Sequence, residues 1–398
     1  MAATLAWLDY DAAERERMNR ILALFKESDT VDQLGLGAIR DSFSDQLFPG
    51  TSTLQNRLRY FLFVPWMYTQ LEAKEVPSSR IERRAREFEL GWIDVLMATD
   101  DTDGVHGKVA GANLKILPSA IYWSGLGSWG IRRFPGTQSE YHRALDAIYR
   151  RRKISRRKED DDAEPDPLVE TWHPRLPPPP KGFPDRMDLR LTPGEAEFIL
   201  DRIVAAHPDS LLAFLARECR HTDAWFPWRH PDAQRFSPAH RELLHHARLL
   251  SESMHGAALL YNLMLAELAE RDDLIEEHGE WFDEWSSELD VGGLAAWDLR
   301  RLWELTLGHG HTITFGARSF VESWVELVRT NPARLKRDPA ARQLVRNREL
   351  ALKGARSYFM NRTLLNQWRG YLGLRRLEYR WSQVRVLLRD LYRGLYGG

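Results

Sequence analysis

Apolar residues recur at steps of three and four along most longer segments of the chain, and this spacing constrains the fold most. In residues 374–391 the residues that follow it are Leu374, Leu377, Trp381, Val384, Leu388 and Leu391. Such a stripe forms one face of a helix that packs against a core or a partner. Alternating apolar and polar residues are scarce, and residues 312–315 are the best strand candidate. We therefore predict a mainly α-helical fold with little β structure.

The last sixty-eight residues, 331–398, combine this spacing with strong positive charge. Sixteen basic and four acidic residues give them a net charge of +12, whereas the whole chain carries −1. A second seam on Val345, Leu352, Ala355 and Phe359 predicts folded helices here, since a disordered basic tail has no such seam. Clustered guanidinium groups interleaved with aromatic rings are typical of nucleic-acid-binding surfaces.

Three interpretations of this basic segment stay open. It could be a solvated helical surface, a surface for nucleic-acid phosphates, or a face that docks on the chain's own acidic middle, residues 267–298. For the second interpretation we predict phosphate contacts from basic residues and base stacking from aromatic ones. The predicted residues are Arg342, Arg346, Lys353, Arg356, Arg369, Arg376 and Arg380 for phosphates, with Trp368 and Tyr371 for bases.

Runs of charge and proline suggest how the chain is divided. From residue 150 the sequence reads RRRKISRRK, then acidic EDDDAEPDP, and from residue 175 RLPPPPKGFP, which is typical of an exposed, mobile linker. We predict two or more helical subdomains joined by this Pro-rich linker. The predicted parts are an N-terminal helical domain over 1–150, the linker over 151–188, a helical domain with an acidic patch over 189–330, and the basic segment over 331–398.

Capping residues predict where several helices begin. Thr192-Pro193-Gly194-Glu195 has a capping Thr, a Pro at the first helical position and a Glu at the third. Asp11 and Glu14 predict a first helix that reaches Phe25.

A Pro49-Gly50 turn predicts a boundary between two further helices. The second would begin at Thr51 or Ser52 and be kinked or ended by Pro65. With Arg40, Arg57 and Arg59, this pair could be a helix-turn-helix for nucleic acid, or two packed scaffold helices.

The composition bears on the compartment. The lone cysteine, Cys219, excludes an internal disulfide and fits a reducing environment. The N-terminus lacks the apolar core of a signal peptide, and no run approaches about 18 uninterrupted apolar residues. We predict a cytoplasmic protein without membrane contact.

No motif in the sequence identifies a reaction. None of the thirteen histidines forms HExxH, and one cysteine excludes the common structural zinc sets. His106-Gly107-Lys108, with Asn113, partly matches the HxKxxxxD motif of phospholipase-D-like nucleases, but Asn replaces Asp and no second copy exists. We expect no catalytic residue, no metal and no cofactor.

The runs LGLGAIRDSFSDQLFPGTSTLQNRLRYFLFVPWMY, ILPSAIYWSGLGSWGI and LTPGEAEFILDRI resemble a bacterial family, domain-of-unknown-function family 6361. The resemblance spans nearly the whole chain and transfers no catalytic residue. Such families are often encoded beside helicases and phospholipase-D-like proteins in phage-defence islands, which implies a role in a DNA-targeting complex.

These observations favour a non-catalytic accessory subunit that binds nucleic acid, with DNA expected, and that docks a helicase or nuclease partner protein. One alternative is a protein–protein scaffold or homo-oligomer in which the acidic middle meets the basic end. The other alternative is a metal-dependent nuclease with a scattered site.

Overall fold

A computed structural model describes residues 32–157 and 170–397. In these residues the regular elements are helices, and the β structure is a single isolated bridge between Arg132 and Trp172. The predicted mainly α fold is confirmed. Residues 312–314 are irregular and Phe315 begins a helix, so the strand candidate was wrong. The predicted first helix, residues 11–25, and the acidic half of the linker lie outside the described ranges.

The chain forms two compact units, each built from separated stretches of sequence. The first unit contains residues 32–44 and Trp225–Tyr379, and the second contains Asp45–Ala224 and residues 380–397. The basic segment 331–398 is thus divided, because residues 331–379 belong to the first unit and residues 380–397 to the second.

The first unit is organised around a 31-residue helix. Its elements in chain order are α1 (Gly37–Leu47, whose last three residues are grouped with the second unit), α8 (Pro238–Leu268), α9 (Asp272–Glu288), α10 (Val291–Ala296), α11 (Leu299–Thr306), α12 (Phe315–Thr330), α13 (Pro339–Lys353) and α14 (Arg362–Gln367). Helix α8 packs against α9, α12 and α13. Its start is fixed by Ser237, whose hydroxyl accepts a hydrogen bond from the His240 amide.

Indole and phenol groups in this core donate to backbone carbonyls of α8. Trp285 donates to Glu252, Trp324 to Ser253 and Tyr379 to Ala247, over 2.7–2.9 Å. Because these hydrogen bonds satisfy the polar atoms of the rings, the rings can be buried without leaving a donor unpaired. Gly256 makes the approach of α9 possible, since a Cβ there would lie 2.1 Å from the Trp285 ring.

The second unit contains α2 (Tyr60–Ala73), α3 (Ser78–Met97), α4 (Pro118–Ser128), α5 (Gln138–Arg157), α6 (Pro193–Ala206), α7 (Leu211–Glu218) and α15 (Trp381–Tyr396). The predicted cap of α6 is confirmed, because Thr192 and Glu195 form a complete capping box. Helix α15 packs against α6 and α7.

The helix-turn-helix alternative for this pair of helices does not match the structure. Helices α1 and α2 are separated by residues 48–59, whereas a helix-turn-helix needs a turn of about three or four residues. Arg57 and Arg59 are buried and bonded to carboxylates of the second unit. The second helix begins at Tyr60 and not at Thr51 or Ser52, and it contains Pro65 without ending there.

The apolar stripe of residues 374–391 predicted burial better than it predicted a helix. Residues 368–380 are irregular and α15 begins only at Trp381. Tyr379 and Arg380 have φ values of 56° and 65°, which a right-handed helix excludes. Leu374 and Trp381 are nevertheless both buried, in different units.

Part of the predicted linker is packed into the second unit. Thr171, Trp172 and Phe183 are buried. The buried carboxylate of Glu72 accepts hydrogen bonds from the Thr171 hydroxyl at 2.8 Å and the Trp172 indole at 3.0 Å. These contacts explain why residues 171–173 are not an exposed spacer.

Candidate nucleic-acid interface

The structure divides the nine predicted nucleic-acid contacts into three groups. Arg346, Arg356 and Arg369 are exposed on the first unit and form no ion pair with any residue that the structure describes. The residues engaged with carboxylates are Arg342, Lys353, Arg376 and Arg380. The remaining two are the aromatic residues Trp368 and Tyr371.

Arg342 pairs with the acidic middle of the chain. Its guanidinium bonds to both carboxylate oxygens of Glu267 and donates to the Lys336 carbonyl at 2.8 Å. Lys336 in turn pairs with Asp283. The third interpretation of the basic segment, docking on the acidic residues of the same chain, therefore describes these two cations.

Lys353 belongs to a buried polar cluster around Glu349, whose side chain is fully buried. The Glu349 carboxylate lies 3.2 Å from the Lys353 ammonium and accepts hydrogen bonds from the Ser357 hydroxyl and the Tyr358 amide. Burial lowers the pKa of Lys353, against the effect of the Glu349 charge. This cluster fixes the turn after α13, and the Lys353 ammonium group is engaged by Glu349 within it.

Arg376 and Arg380 are both held close to the protein, in different units. Arg376 lies 3.6 Å from Glu252, and its guanidinium is stacked 4.6 Å from the centroid of the Phe226 ring. Arg380 pairs with Asp45 and donates to the Thr51 carbonyl at 2.7 Å. Binding a phosphate would compete with these contacts.

The two predicted stacking residues are packed with His278. Trp368 is only 7% exposed, which leaves no free ring face for a base. Tyr371 is half-buried and donates to Glu277 at 2.8 Å. Burial, together with that carboxylate, raises the pKa of Tyr371 to about 12.

The exposed cations of the first unit extend beyond the prediction. We define the exposed arginine group as Arg334, Arg337, Arg346, Arg356, Arg362 and Arg369. In the described part of the chain, none of these six forms an ion pair or donates a side-chain hydrogen bond. Arg334, Arg337 and Arg362 were missed, because the sequence gives the charge of a segment but not which cations are already paired.

The second unit contains a cavity of 740 Å³ whose lining includes a network of Arg57, Asp101 and Asp390. Arg57 donates to Asp390 at 2.9 Å and to Asp101 at 2.8 Å. Burial opposes the Arg57 charge, but these two carboxylates outweigh it and raise its pKa. Burial raises the pKa of Asp390, whereas the hydrogen bond from Arg57 lowers that of Asp101.

The histidine and the lysine of the partial HxKxxxxD match lie in different environments, one buried and one exposed. Burial lowers the pKa of His106 to about 4, so its imidazole is neutral at pH 7. Lys108 is exposed and donates to Thr102. Among the residues that the structure describes, no three His, Cys, Asp or Glu side chains are grouped so that they could hold a metal ion. No helix in the same residues has the length and apolar character needed to cross a bilayer.

Comparison with known proteins gives a family but no characterised relative. Neither a curated protein nor a solved structure matches the chain. The model of a family described as a family of unknown function, DUF6361, matches residues 2–393. The resemblance seen in the sequence is thereby confirmed, and the chain belongs to the DUF6361 family.

Proposed function

We propose that this protein is a non-catalytic, cytoplasmic, nucleic-acid-binding accessory subunit of a bacterial DNA-targeting complex that acts in anti-phage defence. The observation that carries the proposal is the exposed arginine group of the first unit. Six guanidinium groups lie within 36 residues of chain and have no carboxylate partner among residues 32–157 and 170–397. Such groups bind phosphates without first breaking an ion pair.

The exposed arginine group differs from the paired cations in the charge that it presents to solvent. Arg342 and Lys336 neutralise Glu267 and Asp283, so their charges contribute little to an external field. The exposed arginine group keeps its full charge in solvent, and a guanidinium matches two phosphate oxygens at once. We therefore assign binding to Arg346, Arg356 and Arg369 together with Arg334, Arg337 and Arg362.

The surroundings of these arginines favour contacts with the sugar–phosphate backbone of a nucleic acid over contacts with its bases. Trp368 is buried, and the ring of Phe359 is already covered by Arg346 at 5.6 Å from its centroid. Met360, exposed by 67% between Arg356 and Arg362, offers an apolar contact but no stacking plane. Binding through phosphates alone gives little sequence preference and a strong dependence on salt.

The proposed partner, a helicase or nuclease, would dock on the second unit. Support comes from the loop between α3 and α4, in which Val109 is fully exposed and Ile116 is 54% exposed. Arg86 holds this loop by donating to the carbonyls of Ala112 and Leu114. Apolar side chains that are exposed together on one surface are typical of protein-binding sites.

The test is the salt dependence of nucleic-acid binding. Fluorescence anisotropy with single- and double-stranded DNA and RNA, at several salt concentrations, would give the slope of log K against log salt. Replacing Arg346, Arg356 and Arg369 with Gln should reduce the slope on duplex DNA by about 0.9 for each phosphate contact removed.

Two control variants make this test specific. Arg80, Arg143 and Arg150 are exposed arginines of the second unit, and changing them to Gln removes the same charge while leaving the slope unchanged. Arg342→Gln breaks a paired contact and should lower stability without altering the slope. An unchanged slope in the first triple variant, or a reduced slope in the control triple variant, overturns the assignment.

A protein–protein scaffold or homo-oligomer is the second candidate. Phe315, 85% exposed at the start of α12, favours it. The pairing of Glu267 and Asp283 within the first unit weighs against the ionic form of self-assembly. A chain that binds none of the four nucleic acids, and whose mass in size-exclusion chromatography falls to a monomer with Phe315→Ser, would establish the scaffold.

A further inference from the structure

We propose that the cavity of the second unit binds a nucleotide through its phosphate groups. Besides Arg57, three arginines line the cavity, Arg190, Arg389 and Arg393, and we call this site the arginine cavity. The site lies outside the exposed arginine group, and the inference does not depend on the proposed nucleic-acid function.

The backbone brings the three arginines together from two separated stretches. Arg389 and Arg393 are four residues apart on α15 and so share one face of that helix. Arg190 lies in the segment before α6. Gly394 allows this segment to approach α15, since a Cβ on Gly394 would lie 2.8 Å from the Cβ of Leu191.

Four arginines and four aspartates line the cavity, but two of the carboxylates are engaged by the fourth arginine, Arg57. Asp101 and Asp390 are taken by Arg57. In the described part of the chain, Arg190, Arg389 and Arg393 form no ion pair. The Nε atom of Arg389 is buried and has no hydrogen-bond partner there. An anion that accepts several hydrogen bonds would stabilise three arginines that line the same cavity, and phosphate is such an anion.

The volume of the cavity and the other residues that line it indicate which class of ligand it binds. A volume of 740 Å³ is far larger than one phosphate requires and falls within the range of about 300–1,000 Å³ for ligand sites. Asp100 and Asp103 also line the cavity, and they are carboxylates that would repel a bare polyanion. Carboxylates accept hydrogen bonds from hydroxyl and amino groups. A ribose and a base carry such donors, so the lining fits a nucleoside phosphate better than an inorganic one.

Calorimetric titration of the full-length protein tests this site, with ATP, ADP, tripolyphosphate and adenosine as the probes. We expect ATP and ADP to bind more tightly than tripolyphosphate, and adenosine to bind weakly. Arg389→Gln with Arg393→Gln should raise the Kd for ATP at least roughly tenfold. Arg393→Gln alone changes an exposed side chain and guards against a folding defect of the double variant.

Two further variants show which part of the ligand is recognised and which site of the protein binds it. Asp103→Asn should weaken ATP binding relative to tripolyphosphate binding, because both ligands lose the same repulsion but only the nucleotide loses an acceptor for its hydroxyl or amino donors. The Arg346, Arg356 and Arg369 triple variant should bind ATP like the unmodified chain, which separates this site from the proposed nucleic-acid surface. No binding of ATP or ADP, equal affinity for ATP and tripolyphosphate, or an affinity unchanged by the α15 variants would overturn the proposal.

Discussion

Buried ionisable side chains restrict the protonation states in which this structure is stable. His278 is fully buried between Trp281, Trp368 and Tyr371, and its Nε2 donates to the Gly370 carbonyl at 2.8 Å. Burial lowers the pKa of His278 to about 4 from its usual 6.5. Its environment therefore requires the neutral ring.

The stability of the first unit should depend on pH through His278. Between pH 6.5 and 4 the unfolded chain binds a proton that the folded ring does not, so this contribution is complete above pH 6.5 and is lost as the pH falls toward 4. Urea unfolding of the unmodified chain and His278→Asn at pH 7 and pH 4 measures it. The difference in unfolding free energy between the two proteins should shift by at most about 3 kcal/mol in favour of the variant at pH 4. A constant difference would show that His278 does not titrate on unfolding.

At the scale of elements, one carboxylate joins α2 to α5 and to residues 171–172. Glu72 lies 2.7 Å from Arg152 and accepts hydrogen bonds from Tyr141, Thr171 and Trp172. These partners come from two parts of the second unit, α5 and residues 171–172, so the position of residues 171–172 depends on a single buried charge.

Glu72→Gln should therefore destabilise the second unit by roughly 3 kcal/mol, because the amide cannot accept at both positions and Arg152 loses its counter-charge. Hydrogen exchange should accelerate first in residues 170–173. The exposed pair Lys153–Glu75 offers a matched control: Glu75→Gln should have almost no effect on stability. Equal effects of the two changes would contradict the assigned role of Glu72.

Local sequence signals predicted the start of α6 correctly, but they did not predict which charged residues pair. The α6 cap depends on residues three positions apart. Arg342 and Glu267 are 75 residues apart, and Arg57 and Asp390 are 333 apart. Nothing within a helical turn indicates such partners. Only three of the nine predicted contacts are therefore exposed and unpaired, and the arginine cavity was not foreseen.

At the scale of the whole molecule, the second unit is completed by a helix that lies far from it in the sequence. Helix α15 buries Trp381, Val384, Leu387, Leu388 and Leu391 in that unit. It also supplies Asp390 to Arg57, and Tyr392 donates to the Leu215 carbonyl at 2.7 Å.

A chain truncated after Tyr379 should lose the second unit and keep the first. Five buried apolar side chains at about 1.5–3 kcal/mol each are comparable with the total stability of a domain. Hydrogen exchange should show lost protection in α6 and α7 and retained protection in α8 and α12. Tyr392→Phe, which removes one hydrogen bond from the complete chain, should leave both units folded. Retained protection of α6 and α7 after truncation would contradict the division into these units.

The split of each unit in the sequence has a consequence for biosynthesis. Residues 380–397 leave the ribosome only after the entire first unit has been translated, so residues 45–224 wait for their last helix while the intervening residues are made. A nascent chain that stalls before α15 carries a complete cationic surface but lacks Arg389 and Arg393. Such a product is expected to be a substrate for chaperones and proteases, which would restrict the working population to fully translated molecules.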